Sequence, residues 1–454
     1  MPSLLTLFRP DPPAPPLTDP VEIRTRYRQF QLRTLVWAIV GYALFYFVRK
    51  NLSVAMPVMG KTLGIGKPQL GLFLTLHGVL YGVSKFANGF LGDRANARTF
   101  MATGLLLSAA CNLWFGLSST AVLLGVAWML NGWFQGMGFP PCARLMTHWF
   151  SPKELATKMS IWNTSHSIGA GCVFILCGYL VGFNWRLCFI VPAALAVCTA
   201  VLMLVTLPDT PASVGLPDVE GTTTADEDHR PTDDVTDDVQ SAADFRSFIR
   251  AHVFANPYIW IISIANFFVY TLRYAMLDWG PTLLNEAKGV KISDAAWMVA
   301  TFELSGIAGM LIAGRLTDRL FGGRGARACL FSMAGTILAT LLLWKYPAHS
   351  TLAYTLFLCL SGFFIYGPQA LVGIHAANLA TKRAAATAVG LTGIFGYAST
   401  VLSGWGLGLL VQHYGWDRGF LAMLIVAVLG TLCFAAAWPA KPHGYAAADL
   451  SVCN

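Results

Sequence analysis

Two arginines interrupt long apolar stretches at related positions in the two halves of the chain. The fourteen residues from Leu35 to Val48 carry no charge and are followed by Arg49, and the fourteen from Ile259 to Leu272 are followed by Arg273. Apolar sequence resumes after both arginines, so each is predicted to lie inside a membrane-length helix. Because a guanidinium keeps its charge in a protein, burying one in a bilayer costs several kcal/mol or more. Two such positions predict a shared aqueous cavity that binds an anion.

A phosphate monoester is an anion whose chemistry is compatible with two such arginines. It presents several acceptor oxygens, and each planar guanidinium can bind two of them in parallel. The alternative for Arg49, which is followed by Lys50 and Asn51, is a helix that ends early and leaves its charges at the membrane surface. The matching position of Arg273 favours the buried interpretation.

The composition is that of a membrane protein. Hydrophobic residues make up 55% of the 454 residues and charged residues only 12%, about half the charged fraction of a soluble protein. A transmembrane helix needs roughly 20 mostly apolar residues, and we predict twelve such spans, with cores at 34–58, 69–91, 100–117, 121–145, 159–181, 187–207, 257–285, 295–317, 328–345, 352–377, 385–411 and 418–438. The predicted fold class is therefore an all-α membrane protein with twelve transmembrane helices.

Basic and acidic residues are distributed unevenly between the connecting segments. Ten acidic residues and one basic residue lie between Asp218 and Asp244, whereas Lys and Arg cluster in alternate connections. Connections rich in Lys and Arg stay on the cytoplasmic side of a membrane, so both termini and the acidic segment are predicted to be cytoplasmic. Because topology explains the basic residues, we do not expect a nucleic-acid partner. The first 32 residues are polar and proline-rich, so no signal peptide is expected.

The two halves of the sequence repeat each other. Gly89-Phe-Leu-Gly-Asp93-Arg94 recurs as Gly314-Arg-Leu-Thr-Asp318-Arg319, and Asn131-Gly-Trp-Phe134 recurs as Ser361-Gly-Phe-Phe364. Two pseudo-symmetric six-helix bundles with a substrate near the midplane are typical of secondary transporters. The predicted organisation is a cytoplasmic N-terminal tail (1–32), a six-helix bundle (33–207), an acidic cytoplasmic linker (208–255), a second six-helix bundle (256–438) and a cytoplasmic C-terminal tail (439–454).

The repeated GxxxDR segments place Asp93, Arg94, Asp318 and Arg319 in short loops. An Asp at a helix end beside arginines can hold neighbouring helices together on one face of the membrane and release them on the other. The alternative is that these loops simply turn the chain and keep positive charge in the cytoplasm. Their occurrence at equivalent places favours a gating role without substrate contact.

Longer strings resemble the major facilitator superfamily and, within it, the organophosphate:phosphate antiporter family. The resemblance covers essentially all twelve predicted spans. The strings that carry it are Gly41-Tyr-Ala-Leu-Phe-Tyr-Phe-Val-Arg49-Lys-Asn51, Tyr81-Gly-Val-Ser-Lys85-Phe86, Phe134-Gln-Gly-Met-Gly138, Pro140-Pro-Cys-Ala-Arg144, Leu272-Arg-Tyr-Ala-Met-Leu-Asp-Trp279 and Ile365-Tyr-Gly-Pro368.

The resemblance implies roles for individual residues. Arg49 and Arg273 match the two arginines that bind phosphate in glycerol-3-phosphate carriers of this family, and His166 matches a histidine implicated there in substrate binding. Phe139 stands where those carriers have a tryptophan, so this wall of the pocket differs. The other matched cavity residues are Lys85, Glu303, Tyr42, Tyr46, Tyr81, Tyr366 and Tyr397.

Taken without the resemblance, the same residues leave alternatives open. His166 lies among small polar residues and could be a core histidine, and the tyrosines could be ordinary packing residues between helices. Lys85 could pair with Glu303 or extend its amine toward the membrane surface.

The resemblance implies exchange of an organophosphate for inorganic phosphate by alternating access, with glycerol 3-phosphate or a sugar phosphate such as hexose 6-phosphate as substrate. It also implies a multi-pass protein of a bacterial inner membrane. A membrane sensor of external hexose phosphate that signals to a histidine kinase remains the alternative, because part of the sequence resembles that branch. The sequence contains no P-loop, HExxH motif or His/Asp cluster with metal spacing, so no enzyme activity, cofactor or metal site is expected.

Overall fold

The computed structural model describes residues 8–92, 94–219, 247–347, 350–380 and 384–440. Helices dominate these ranges, and no strand occurs within them. Three subjects of the sequence analysis lie outside the described residues, namely Asp93, residues 220–246 of the acidic segment and the tail after residue 440.

The helices follow one another with short connections, except between α8 and α9, which residues 207–256 separate. In chain order they are α1 (Pro20–Leu63), α2 (Lys67–Gly92), α3 (Ala97–Leu117), α4 (Ala121–Gln135), α5 (Phe139–Trp149), α6 (Pro152–Asn163), α7 (Ser165–Leu180), α8 (Leu187–Thr206), α9 (Pro257–Lys288), α10 (Ile292–Leu320), α11 (Gly325–Lys345), α12 (Thr351–Leu379), α13 (Ala385–Ala398) and α14 (Leu407–Ala436). A π-helical segment, Val401–Gly406, precedes α14.

Within the described ranges, nine helical segments are long and apolar enough to cross a membrane. The predicted fourth and fifth spans do not qualify, because Gly136–Gly138 separates α4 from α5 and Thr164 separates α6 from α7. The predicted eleventh and twelfth spans overlap a single stretch, Thr387–Ala436, in which the non-helical backbone of Gly415 separates them. The difference from twelve uninterrupted helices therefore comes from local breaks and from this kink.

Glycines permit these irregularities. A Cβ atom on Gly136 would lie 2.2 Å from Oγ of Ser84, so α2 approaches the backbone closely at this break. The Ser84 hydroxyl donates a hydrogen bond to the carbonyl of Trp133, near the end of α4. Gly415, inside α14, has a φ of 78°, which glycine adopts without steric cost.

The chain divides into two compact units. The first unit consists of Met1–Val58 with Leu80–Thr232, and the second of Met59–Val79 with Asp233–Asn454. The boundaries fall inside α1 and α2, so the first half of α2 belongs to the second unit. There the Thr75 hydroxyl donates to the carbonyl of Thr400 at 2.8 Å and accepts from the backbone N–H of Trp405 at 2.9 Å.

An irregular N-terminal segment, residues 8–19, lies on the first unit before α1 begins. The Asp11 carboxylate accepts hydrogen bonds from Nη2 of Arg98 and Nδ2 of Asn96, both at 2.9 Å. The ring of Phe8 packs edge-on against Phe100, with centroids 6.2 Å apart. The chain's own N-terminal segment therefore covers the start of α3 with an aromatic ring and a carboxylate.

Glycine also sets the distance between α10 and α12. A Cβ atom on Gly309 would lie 2.0 Å from the carbonyl oxygen of Phe363, whereas one on Gly314, in the same helix, would meet no atom within 4 Å. We expect Gly309→Ala to force the helices apart and to lower the free energy of unfolding by about 1–3 kcal/mol, the usual cost of overpacking. Gly314→Ala is the matched control and should unfold at the wild-type temperature or slightly above it. Equal thermal midpoints for the two variants in detergent would contradict this packing.

Candidate substrate-binding site

Three of the predicted site residues lie on one face of α1. Tyr42, Tyr46 and Arg49 are spaced by four and three residues, which makes them neighbours on a helix surface, and each is at most 8% exposed. The guanidinium carbon of Arg49 lies 4.0 Å from the ring centroid of Tyr81 and 5.5 Å from that of Tyr46. These are cation–π distances. The face presents a permanent positive charge framed by aromatic rings.

A histidine and a lysine border the same aromatic group. The rings of His166 and Tyr46 have centroids 5.7 Å apart. The amine of Lys85 lies 4.2 Å from the ring centroid of Phe139, and Phe139 lies 6.5 Å from the ring of Tyr42. The first unit therefore brings His166 and Lys85 to the group that contains Arg49.

Trp162 completes the wall that contains Phe139. Its ring lies 5.5 Å from Phe139 and 4.8 Å from Tyr42, and its Nε1 donates to the carbonyl of Ala38 at 3.2 Å. Trp162 is fully buried. Phe139 stands where the resemblance implies a tryptophan. Trp162 of α6 lies directly beside this position.

Amide side chains from neighbouring helices hold the backbone of α1 at the site. The carbonyl oxygen of Val48 accepts hydrogen bonds from Nδ2 of Asn112 and of Asn131, both at 2.8 Å. Asn51 donates to Oδ1 of Asn112 and to the carbonyl of Cys188, also at 2.8 Å. Because buried hydrogen bonds are costly to break, contacts from α3, α4 and α8 fix the rotation and height of α1.

The second unit contains a different arrangement around its arginine. Nη2 of Arg273 lies 3.7 Å from Oε1 of Glu303, and the guanidinium carbon lies 4.8 Å from the ring centroid of Tyr366. All three side chains are at most 4% exposed. Gly306 makes room for this ring, since a Cβ atom there would lie 2.4 Å from Cδ2 of Tyr366. An anion that binds Arg273 therefore has to compete with a carboxylate.

Tyr397 is connected to this arrangement through two further tyrosines. Its ring lies 6.3 Å from Tyr270, and Tyr270 lies 5.6 Å from Tyr274. The ring of Tyr274 lies 5.8 Å from the guanidinium carbon of Arg273. Tyr270 and Tyr274 were not among the predicted site residues, although both lie in the same apolar stretch as Arg273.

Sequence reasoning also left out two buried charges. Lys50 is 5% exposed and Asp278 is 8% exposed, and both lie inside membrane-length helices. The signal was available, because a charged residue inside an apolar span is a functional candidate wherever it occurs. Lys50 instead entered the sequence analysis as a sign of an early helix end, whereas α1 continues to Leu63.

The repeated loops place their charges at exposed helix ends. Arg94, Asp318 and Arg319 are exposed, and Asp93 lies outside the described residues. No group of three His, Cys, Asp or Glu residues in the described ranges could hold a metal ion.

Three known proteins resemble this chain over nearly its whole length. The glycerol-3-phosphate transporter of Bacillus subtilis (strain 168) is 37% identical over 442 residues, which cover 96% of this chain and 98% of that protein. A probable hexose phosphate transport protein of Chlamydia muridarum is also 37% identical, with coverage of 96% and 97%. The membrane sensor protein UhpC of Salmonella typhimurium is 35% identical, with coverage of 93% and 95%.

Helices long enough to span a membrane, with charged residues buried inside them, indicate a multi-pass membrane protein. The family model of the Major Facilitator Superfamily matches residues 38–404 and 284–449, and the chain belongs to that family. A solved structure of a bacterial homologue of the human lysosomal transporter Spinster has the same fold, with a TM-score of 0.74 at 15% identity and coverage of 90% of this chain and 97% of that one. The resemblance stated from the sequence strings is confirmed, and it identifies a transporter and not an enzyme.

Proposed function

We propose that the protein exchanges an organophosphate for inorganic phosphate across the membrane by alternating access. The observation that carries the proposal is that each unit buries one arginine among tyrosines, Arg49 in the first and Arg273 in the second. The relatives named as glycerol-3-phosphate and hexose phosphate transporters support the same substrate class. Glycerol 3-phosphate and sugar phosphates such as hexose 6-phosphate are the proposed substrates.

The charges around each arginine suit a phosphate monoester. In the first unit, Arg49 and Lys85 lie against the rings of the site residues. In the second unit, Glu303 offsets part of the charge of Arg273. A phosphate monoester carries about −1.5 to −2 at pH 7, so it supplies negative charge that these cations can bind.

The proposed roles follow from what surrounds each side chain. Arg49 is held in place by the amide network of α1 and supplies a fixed phosphate-binding fork. His166 and Lys85 supply further donors beside it, and Tyr42, Tyr46 and Tyr81 offer hydroxyl donors together with rings for the organic group. In the second unit, Arg273 releases Glu303 when phosphate binds, with Tyr366 and Tyr397 lining the path.

The same proposal includes the topology and the gate. Both termini and the acidic segment lie in the cytoplasm, and twelve spans in two bundles cross the bacterial inner membrane. In this proposal Asp93, Arg94, Asp318 and Arg319 act at the cytoplasmic ends of helices and do not touch substrate.

A sensor of hexose phosphate is the second candidate function. The relative named membrane sensor protein UhpC favours it, since a sensor that binds the same ligand would keep the same arginines. A sensor would pass the signal to a histidine kinase and would show little exchange.

Exchange in proteoliposomes tests the proposed function. Purified protein reconstituted with internal labelled phosphate should release the label when glycerol 3-phosphate or glucose 6-phosphate is added outside. Glycerol, glucose and sulfate at equal concentration are the matched controls and should release none, because they carry no phosphate group. If no organophosphate releases the label although the protein still binds glucose 6-phosphate, the exchanger is excluded. That result would favour the sensor.

A further inference from the structure

An apolar groove runs along the outer surface of the second unit between α10 and α11. We call it the α10–α11 groove. One wall is formed by Ile312, Leu316 and Leu320 of α10, and the facing wall includes Ala328 and Phe331 of α11. The groove has a cavity volume of about 140 Å³. Leu320 is 69% exposed and Phe331 is 55% exposed, so the walls present large apolar side chains to the surroundings.

The groove exists because α10 and α11 pack mainly on α12 and little on each other. Phe363 and Phe364 of α12 form its floor. Small residues bring that floor close: a Cβ atom on Gly335 of α11 would lie 2.6 Å from the ring of Phe364. The separation of α10 from α11 is therefore built into the packing of both helices on α12.

The length of the groove matches one leaflet of a bilayer. It extends along α10 from Gly309 to Leu320, which corresponds to about 16 Å at 1.5 Å per residue. Half of the hydrocarbon core is about 15 Å thick. A single acyl chain that enters from one membrane surface would fill the groove down to the bilayer centre.

The end of the groove at Leu320 carries positive charge. From Arg315 to Arg327 the chain contains four arginines and one acidic residue, Asp318. The guanidinium carbon of Arg327 lies 4.6 Å from the ring of Trp438, and Nε of Arg327 is buried with no hydrogen-bond partner within the described residues. Trp438 also contacts Phe331 in the groove wall, with centroids 6.4 Å apart. A tryptophan at a groove mouth fits the level of lipid headgroups, where this residue is enriched.

The first unit shows what fills the corresponding place there. Phe134 corresponds to Phe364 in the internal repeat. Phe100 is the fourth residue of α3, as Ala328 is the fourth residue of α11. Both phenylalanines pack in the cluster that Phe8 covers. Asp11, three residues after Phe8, binds Arg98 in the first turn of α3. An apolar group followed by an anion thus covers this position in the first unit.

We propose that the α10–α11 groove binds an anionic phospholipid, with one acyl chain between the two helices and the headgroup phosphate at Arg324 and Arg327. The lipid would supply to the second unit the two groups that Phe8 and Asp11 supply to the first. Arg324 immediately precedes α11 and shares its helix face with Ala328 and Phe331, so the headgroup and the chain lie on one continuous surface. This site is separate from the organophosphate site.

Lipid retention by the full-length protein tests the proposal. The protein is purified in detergent and mixed with phosphatidylglycerol or phosphatidylcholine of identical acyl chains. Native mass spectrometry then measures how much of each lipid stays bound to the protein. Phosphatidylglycerol should be retained about tenfold more than phosphatidylcholine, because basic residues at a membrane surface attract anionic headgroups. The double variant Arg324→Gln/Arg327→Gln should lose this preference, and Ala328→Trp should reduce retention of both lipids by filling the groove.

Two matched variants control for charge and for size. Arg24→Gln/Arg28→Gln removes two exposed arginines from α1, and Leu432→Trp enlarges an exposed apolar residue of α14. Both should retain phosphatidylglycerol as the wild type does.

A photoreactive acyl chain provides a readout that needs no variant. Phosphatidylglycerol labelled near the middle of the chain should crosslink to residues 312–320 and 328–332. Crosslinks confined to other helices, or equal retention of the two lipids by the wild type, would overturn the proposal. Deleting residues 220–240 should leave crosslinking unchanged; a marked increase would show that the acidic segment is the occupant and would also overturn it.

Discussion

Arg49→Lys and Arg273→Lys should each lower organophosphate affinity and exchange rate by about a hundredfold, while the protein still inserts and purifies. Lysine keeps the positive charge but loses the planar fork that binds two phosphate oxygens at once. Hydrogen bonds to charged groups contribute about 1.5–3 kcal/mol each, and about 2.7 kcal/mol corresponds to a hundredfold change in affinity. Binding of labelled glycerol 3-phosphate to purified protein and exchange in vesicles measure the two effects.

The control for this pair is Arg28→Lys, which changes an exposed arginine of α1 in the same way. It should bind and exchange like the wild type. If both site variants kept their affinity within a few-fold of the wild type, the assignment of Arg49 and Arg273 to the phosphate would be wrong.

Vesicles loaded with phosphate should take up labelled organophosphate at least tenfold faster than vesicles loaded with an inert anion. Without a bound anion the cations of the proposed site have to be enclosed without the charge that phosphate supplies, and an uncompensated buried charge costs several kcal/mol. Each increase of about 1.4 kcal/mol in the barrier slows return of the empty carrier tenfold. Exchange avoids this step, because phosphate occupies the site on the way back.

The carboxylate beside Arg273 should affect how strongly uptake depends on exchange with internal phosphate. Glu303 lies 3.7 Å from Arg273 and offsets part of its charge when no substrate is bound. Glu303→Gln removes that offset, so the ratio of exchange to net uptake should rise further. The ratio of exchange to net uptake is measured for the wild type and for Glu303→Gln at a single pH, in vesicles of the same protein content. Equal uptake into the two kinds of vesicle would replace antiport with uniport or proton symport.

The elements that were predictable from the sequence are those with a local signal. A charged residue inside an apolar span is costly to bury and is visible in the sequence. Arg49 and Arg273 could therefore be singled out without a structure. The internal repeat and the family strings gave the superfamily, which the family model and the relatives confirm. Tyr42 and Tyr46 were named from the family resemblance, and their shared helix face with Arg49 comes from the structure.

Features that depend on neighbours in space were not predictable in the same way. Hydropathy measures the length of an apolar stretch but does not register the break at Gly136–Gly138, which depends on the approach of Ser84 from another helix. The sequence analysis left a pairing of Glu303 with Lys85 open and did not name Arg273, which the structure places beside Glu303. Charge alone allows a carboxylate to pair with either cation, so the neighbour of Glu303 could be identified only from the packing of the helices.

The amide network behind Arg49 connects α1 to helices that are synthesised after it. Asn112, Asn131 and Cys188 lie 61, 83 and 137 residues along the chain from the α1 residues they bond. At roughly 5–20 residues per second during synthesis, α1 exists for on the order of ten seconds before Cys188 has been made. During that interval α1 carries Arg49, Lys50 and Asn51 without the hydrogen bonds that later hold it. We therefore expect α1 to remain near water, or near the insertion machinery, until its partners emerge from the ribosome.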